Sequence, residues 1–89
     1  MLKIDVLLIL EQFFDRDEDN CAIIHMNDGS EIIVEKKPSF HSNIMSIILE
    51  DENIEKEKII EECHIPYENI LYIITTNFEN IKLRLKNYR

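Results

Sequence analysis

The side chains best suited to chemistry are Cys21, His25, Cys63 and His64 among the metal ligands, and a large set of carboxylates. Three residues separate Cys21 from His25, a spacing that a structural zinc can use. On a strand, alternation puts both on one face about 13 Å apart, too far for one ion. Cys63 and His64 are neighbours, so a strand turns them to opposite faces. Their adjacency does not hold a thiol against a base, as nucleophilic catalysis requires. They read as small buried thiols and a satisfied histidine, and neither a metal nor a cofactor is expected.

The chain holds 18 acidic side chains. Paired carboxylates do acid–base work only where burial separates their pKa values. Asp15, Asp17, Glu18 and Asp19 fall in the segment DRDEDN (15–20), which has no apolar residue to desolvate them. Glu50, Asp51 and Glu52 border a second charged stretch. Both groups read as solvated charge. The single glycine, Gly29, builds neither a Walker loop nor a dinucleotide fingerprint. No catalytic residues are expected, and the chain reads as a non-enzyme.

The frame that carries these residues is small: 89 residues and 45% hydrophobic, enough for one domain spanning 1–89. The formal charge is −8, divided as −7 over residues 1–35, −4 over 36–70 and +3 over 71–89. Such a body repels phosphate over most of its surface and suits a basic partner. Two cysteines cannot supply the disulfide framework of a small secreted protein. The apolar run Val6–Leu10 lacks a basic leader and falls short of the roughly 20 residues a membrane helix needs. A cytoplasmic protein with reduced thiols and no membrane contact is expected.

Residues 2–14 fit a helix through Val6, Leu7, Leu10, Phe13 and Phe14, and fit a strand through the alternation of Leu2, Ile4, Val6, Leu8 and Leu10. The helix formers Leu, Glu and Gln favour the helix. CAIIHM (21–26) and EIIVEK (31–36) flank Asn27-Asp28-Gly29, which tolerates positive φ and predicts a tight hairpin. Lys37-Pro38-Ser39 ends the second strand. Residues 43–65 fit one uneven helix or two strands, Ile44–Leu49 and Ile59–Ile65, about a charged loop at 50–58; the two strands are the preferred reading. Pro66-Tyr67-Glu68-Asn69 is a turn, with Tyr67 expected at the surface, and ILYIITT (70–76) is a strand. NFEN (77–80) reads as a further turn. IKLRLK (81–86) alternates strictly, predicting a basic C-terminal strand within 77–89 whose Lys82, Arg84 and Lys86 share one face.

His25-Met26-Asn27-Asp28-Gly29, the stretch Asn43 to Glu52, and His64-Ile65-Pro66-Tyr67-Glu68-Asn69-Ile70-Leu71-Tyr72-Ile73 together resemble an Sm-like (LSm/Hfq-type) small β-barrel. In that family an Asp-Gly turn joins the first two strands, an Asn opens the third, and a turn with an acidic–Asn pair precedes the last. Asn43 looks like the first Asn, and Glu68-Asn69 like the pair. Pro66-Tyr67 stands where the family has the Arg-Gly that helps form its nucleotide pocket, and Ser39 stands near the place of a missing Asp. The resemblance covers residues 2–76 and implies a barrel-like core over 21–76. The expected fold is α+β: an N-terminal helix, then a small, strongly bent antiparallel sheet or barrel (Sm/SH3-like) of five to six strands.

Three functions follow as expectations. The first is a small non-enzymatic interaction module that binds a basic protein surface through Asp15, Asp17, Glu18, Asp19, Glu50, Asp51 and Glu52. In size and charge it looks like phage-encoded inhibitors of nucleic-acid enzymes, anti-CRISPR proteins included. The second, implied by the resemblance, is a ring-forming RNA binder using Asn43, Glu68, Asn69 and the basic residues Lys82, Arg84 and Lys86. The third is an oligomeric small-ligand binder with Tyr67 or Phe40 stacking on its ligand.

Overall fold

A computed structural model describes residues 1–52 and 58–87, with side chains over 1–49 and 60–84. It is an α+β protein with an N-terminal helix and two three-stranded antiparallel sheets. Helix α1 (Lys3–Leu10) buries Val6 and Leu10, four residues apart on one face. The short helix α2 (Phe13–Arg16) follows, so the helical reading of 2–14 holds with a break at Glu11-Gln12.

The first sheet has the order β2-β1-β6, from β1 (Asn20–Met26), β2 (Glu31–Val34) and β6 (Ile70–Asn77). Ile24 lies opposite Ile32 on one side and Ile73 on the other. The hairpin between β1 and β2 turns at Gly29, whose φ of 89° suits the residue without a Cβ. Asp28 fixes the same turn, its Oδ1 accepting from the Ser30 N–H at 2.9 Å and from the Ser30 hydroxyl. The second sheet has the order β3-β4-β5, from β3 (Ser39–Phe40), β4 (Ile44–Glu52) and β5 (Lys58–Pro66). Buried Pro38 lies where the chain leaves β2 in one sheet for β3 in the other. One core serves both sheets and α1: Val6, Leu10, Ala22, Ile24, Val34, Met45, Ile47, Ile65, Tyr67 and Ile70.

Two expectations need correction. The sheets do not close into a barrel: β5 and β6, consecutive in sequence and joined by one turn of 3-10 helix (Tyr67–Asn69), are not paired with each other. The basic C-terminal strand is instead helix α3 (Phe78–Asn87). Asn77 caps it, its Oδ1 accepting from the Asn80 N–H at 2.9 Å, the bond an N-cap makes to the third helical residue. Ile81 is buried against Cys21 and Ile23 on the outer face of the first sheet, whereas Leu83 is 58% exposed. The alternation of 81, 83 and 85 is therefore not a sheet face. Among the described residues no helix is long and apolar enough to cross a membrane.

Candidate binding cleft

Three connections that are distant in sequence meet at one end of the molecule. The Asn27 N–H donates to the Asn69 carbonyl at 2.9 Å, and the Asn27 side-chain amide donates to the Glu68 carbonyl at 3.0 Å. The Tyr67 N–H donates to the Asn43 carbonyl at 3.2 Å, and its hydroxyl to the His41 carbonyl at 2.8 Å. The Met1 amine donates to the carbonyls of Tyr67 and Ile70 at 2.9 and 2.7 Å, which brings the start of α1 to the same place. Between these segments lies an open cleft of about 610 Å³, lined by Met1, Leu2, Lys3, Asn43, Tyr67 and Glu68 among others.

Asn43, Tyr67 and Glu68 were all singled out by sequence, and the fold brings them together. Tyr67 is corrected from an exposed stacking residue to a buried one, at 4% exposure with its hydroxyl already committed. Burial pushes its phenol above the ordinary value. Phe40 likewise packs against the core instead of presenting a free ring. Asn69 is exposed in the 3-10 turn. Lys3 and Leu2 were missed: the sequence carries no signal that the beginning of α1 reaches residues 43 and 68. The cleft is lined by a cation at Lys3, an anion at Glu68 and an amide at Asn43.

The acidic residues lie elsewhere. Asp15, in α2, is paired with Lys37 at 3.0 Å. Asp17 accepts the Asp19 N–H at 2.9 Å, and Glu18 is exposed between them. Asp17 and Asp19 border a second depression of about 420 Å³ with Asn77, Phe78, Glu79 and Lys82. The Lys82 ammonium sits 5.1 Å from the Phe78 ring centroid. Lys82 therefore approaches the acidic loop and not the first cleft; Arg84 is exposed on α3. Glu50, Asp51 and Glu52 end β4 and Lys86 lies in α3, with side chains outside the described residues.

The cysteines and histidines are dispersed. The Cys21 thiol, under α3, donates to the Asp19 carbonyl at 3.7 Å. Burial first, then Glu35 and Asp19, raises its pKa. His25 stacks on Tyr72 with centroids 4.1 Å apart and lies 3.5 Å from Glu31. Cys63 packs toward the core, and His64 shares a 2.9 Å hydrogen bond with Ser46 across β4 and β5. That pair was not foreseen, because it depends on strand register. Among the described residues no three His, Cys, Asp or Glu side chains are grouped to hold a metal ion.

Compared with known proteins, the chain matches no family model, no curated protein and no solved structure. The resemblance to Sm-like proteins thus rests on the residues quoted for it.

Proposed function

We propose that this protein is a non-enzymatic interaction module whose acidic exterior engages a basic protein surface. The observation that carries the reading is the loop Asp17–Asp19. Its three carboxylates are exposed, and none meets a cation within ion-pair distance among the described residues. The wider field, −8 on 89 residues, points the same way. Carboxylates standing in for phosphates can occupy a cationic groove, and long-range attraction speeds the encounter. The partner that fits is a nucleic-acid-binding protein, as for phage-type inhibitors. The test is capture from cell lysate at low salt with the native protein and with Asp17→Asn/Glu18→Gln/Asp19→Asn. A basic protein held by the native chain and lost with the neutralised one supports the reading. Equal capture by both rejects it.

A second reading, a ring-forming Sm-like RNA binder, is favoured by the meeting of Asn43 with Tyr67 and Glu68 at the cleft. It expects a hexamer or heptamer in light scattering and a shift of RNA in gels. A monomer that leaves RNA unshifted removes it.

A further inference from the structure

Independently of the acidic-surface reading, and in place of a ring, we propose that two copies of this chain pair through the outer edge of β6. The copies run antiparallel about a two-fold axis at Ile73, so that the sheet β2-β1-β6 continues into its copy as six strands.

Among the described strands only β1 bonds to β6, so its far edge is unpaired. At its start the Ile70 carbonyl accepts the Met1 amine. Native proteins blunt a free edge with charge, proline, a bulge or a cover. The free edge of β5 fits that pattern, with Lys58, Glu61, Glu62 and Pro66 in nine residues. The edge of β6 does not. Its sequence, ILYIITTN, has no charge, no proline and no glycine, and it leaves Leu71 57% and Tyr72 45% exposed. Such a strand is a template for backbone pairing.

Charge selects the occupant. Two bodies of −8 repel, so they approach most cheaply where neither carries charge. Pairing β5 with its own copy sets Glu61 and Glu62 close to the same residues of the other chain. Pairing β5 with β6 of a copy sets those glutamates along a strand that holds no cation to offset them. Pairing β6 with β6 does neither. In an antiparallel pair about Ile73, Tyr72 faces Ile74 of the copy and Leu71 faces Thr75 of the copy. Each side chain then keeps the face it has in the isolated sheet. The contact is isologous and closes at two copies.

The test is light scattering of the full chain with two double variants at exposed positions. The native protein is expected to be a dimer. Leu71→Glu/Thr75→Glu opposes carboxylates across the axis twice and is expected to weaken the dimer at least about tenfold. Leu71→Lys/Thr75→Glu opposes unlike charges and is expected to keep it. Matching circular dichroism shows that both variants fold. A native monomer, a ring, a dimer that survives the double glutamate, or loss of the dimer with the lysine–glutamate variant overturns the proposal.

Discussion

The hydroxyl of Tyr67 donates to the His41 carbonyl at 2.8 Å, tying the turn before β6 to the loop between β3 and β4. With the Tyr67 N–H bond to the Asn43 carbonyl, it links the two segments that wall the cleft. Tyr67→Phe leaves a carbonyl without its partner and should cost about 1 kcal/mol in urea unfolding. Tyr67→Ala also opens a core cavity and should cost about 3–5 kcal/mol.

Tyr67 also sets a pH dependence. Its folded pKa lies above the ordinary phenol value because burial disfavours the phenolate. The unfolded chain therefore loses its proton first. The stabilising contribution is complete below the ordinary phenol range and is lost as pH rises toward the folded value. Tyr67→Phe should remove that alkaline slope, and an unchanged slope would show that other groups cause it.

The hairpin turn titrates at the opposite end. The Ser30 hydroxyl and N–H hold the Asp28 carboxyl below its ordinary value. Its contribution is present above the ordinary carboxylate range and is lost as pH falls through the lowered folded value. Thermal unfolding of Asp28→Ala should therefore approach the native protein's at low pH and fall below it near neutrality. Gly29→Ala places a Cβ at φ 89° in open space, so backbone strain alone should cost roughly 1 kcal/mol, with no steric clash.

The two thiols should differ in reactivity. Cys63 is half-buried, whereas Cys21 is buried beneath α3 with a raised pKa. A thiol reagent should label Cys63 first. Among the described side chains of α3, Ile81 is the one buried on that sheet face, so Ile81→Ala should loosen the helix and speed labelling of Cys21. Unaltered Cys21 kinetics in that variant would contradict this anchoring.

Much of the sheet was legible from residue types. Positive φ is tolerated at Asn27-Asp28-Gly29, and the β-branched runs on either side gave the first hairpin nearly to its ends. The choice of two strands within 43–65 holds in β4 and β5, whose alternation buries Met45 and Ile47 on one side and leaves Ile48 exposed on the other, but β4 runs on through residues 50–52, expected in the charged loop, because they pair with residues 58–60 of β5. Residues 81–86 misled because their alternation mimics a strand. The better signal was Asn77, a capping residue followed by good helix formers, with Phe78, Ile81 and Leu85 at helical spacing. At the cleft, Asn43, Tyr67 and Glu68 could be picked out by type, but Lys3 comes to line it because the neighbouring Met1 amine bonds to the Tyr67 and Ile70 carbonyls, a tertiary contact that no local pattern encodes. Tyr67 was misplaced at the surface because a turn was equated with exposure, while its ring fills the core that both sheets share.

If exposed carboxylates hold the basic partner, its affinity must depend on salt. Screening shortens the reach of exposed charges to about 10 Å at 0.1 M ionic strength. A steep fall in affinity is expected as salt rises, shallower in Asp17→Asn/Glu18→Gln/Asp19→Asn. Affinity that stays constant across the salt series would contradict it.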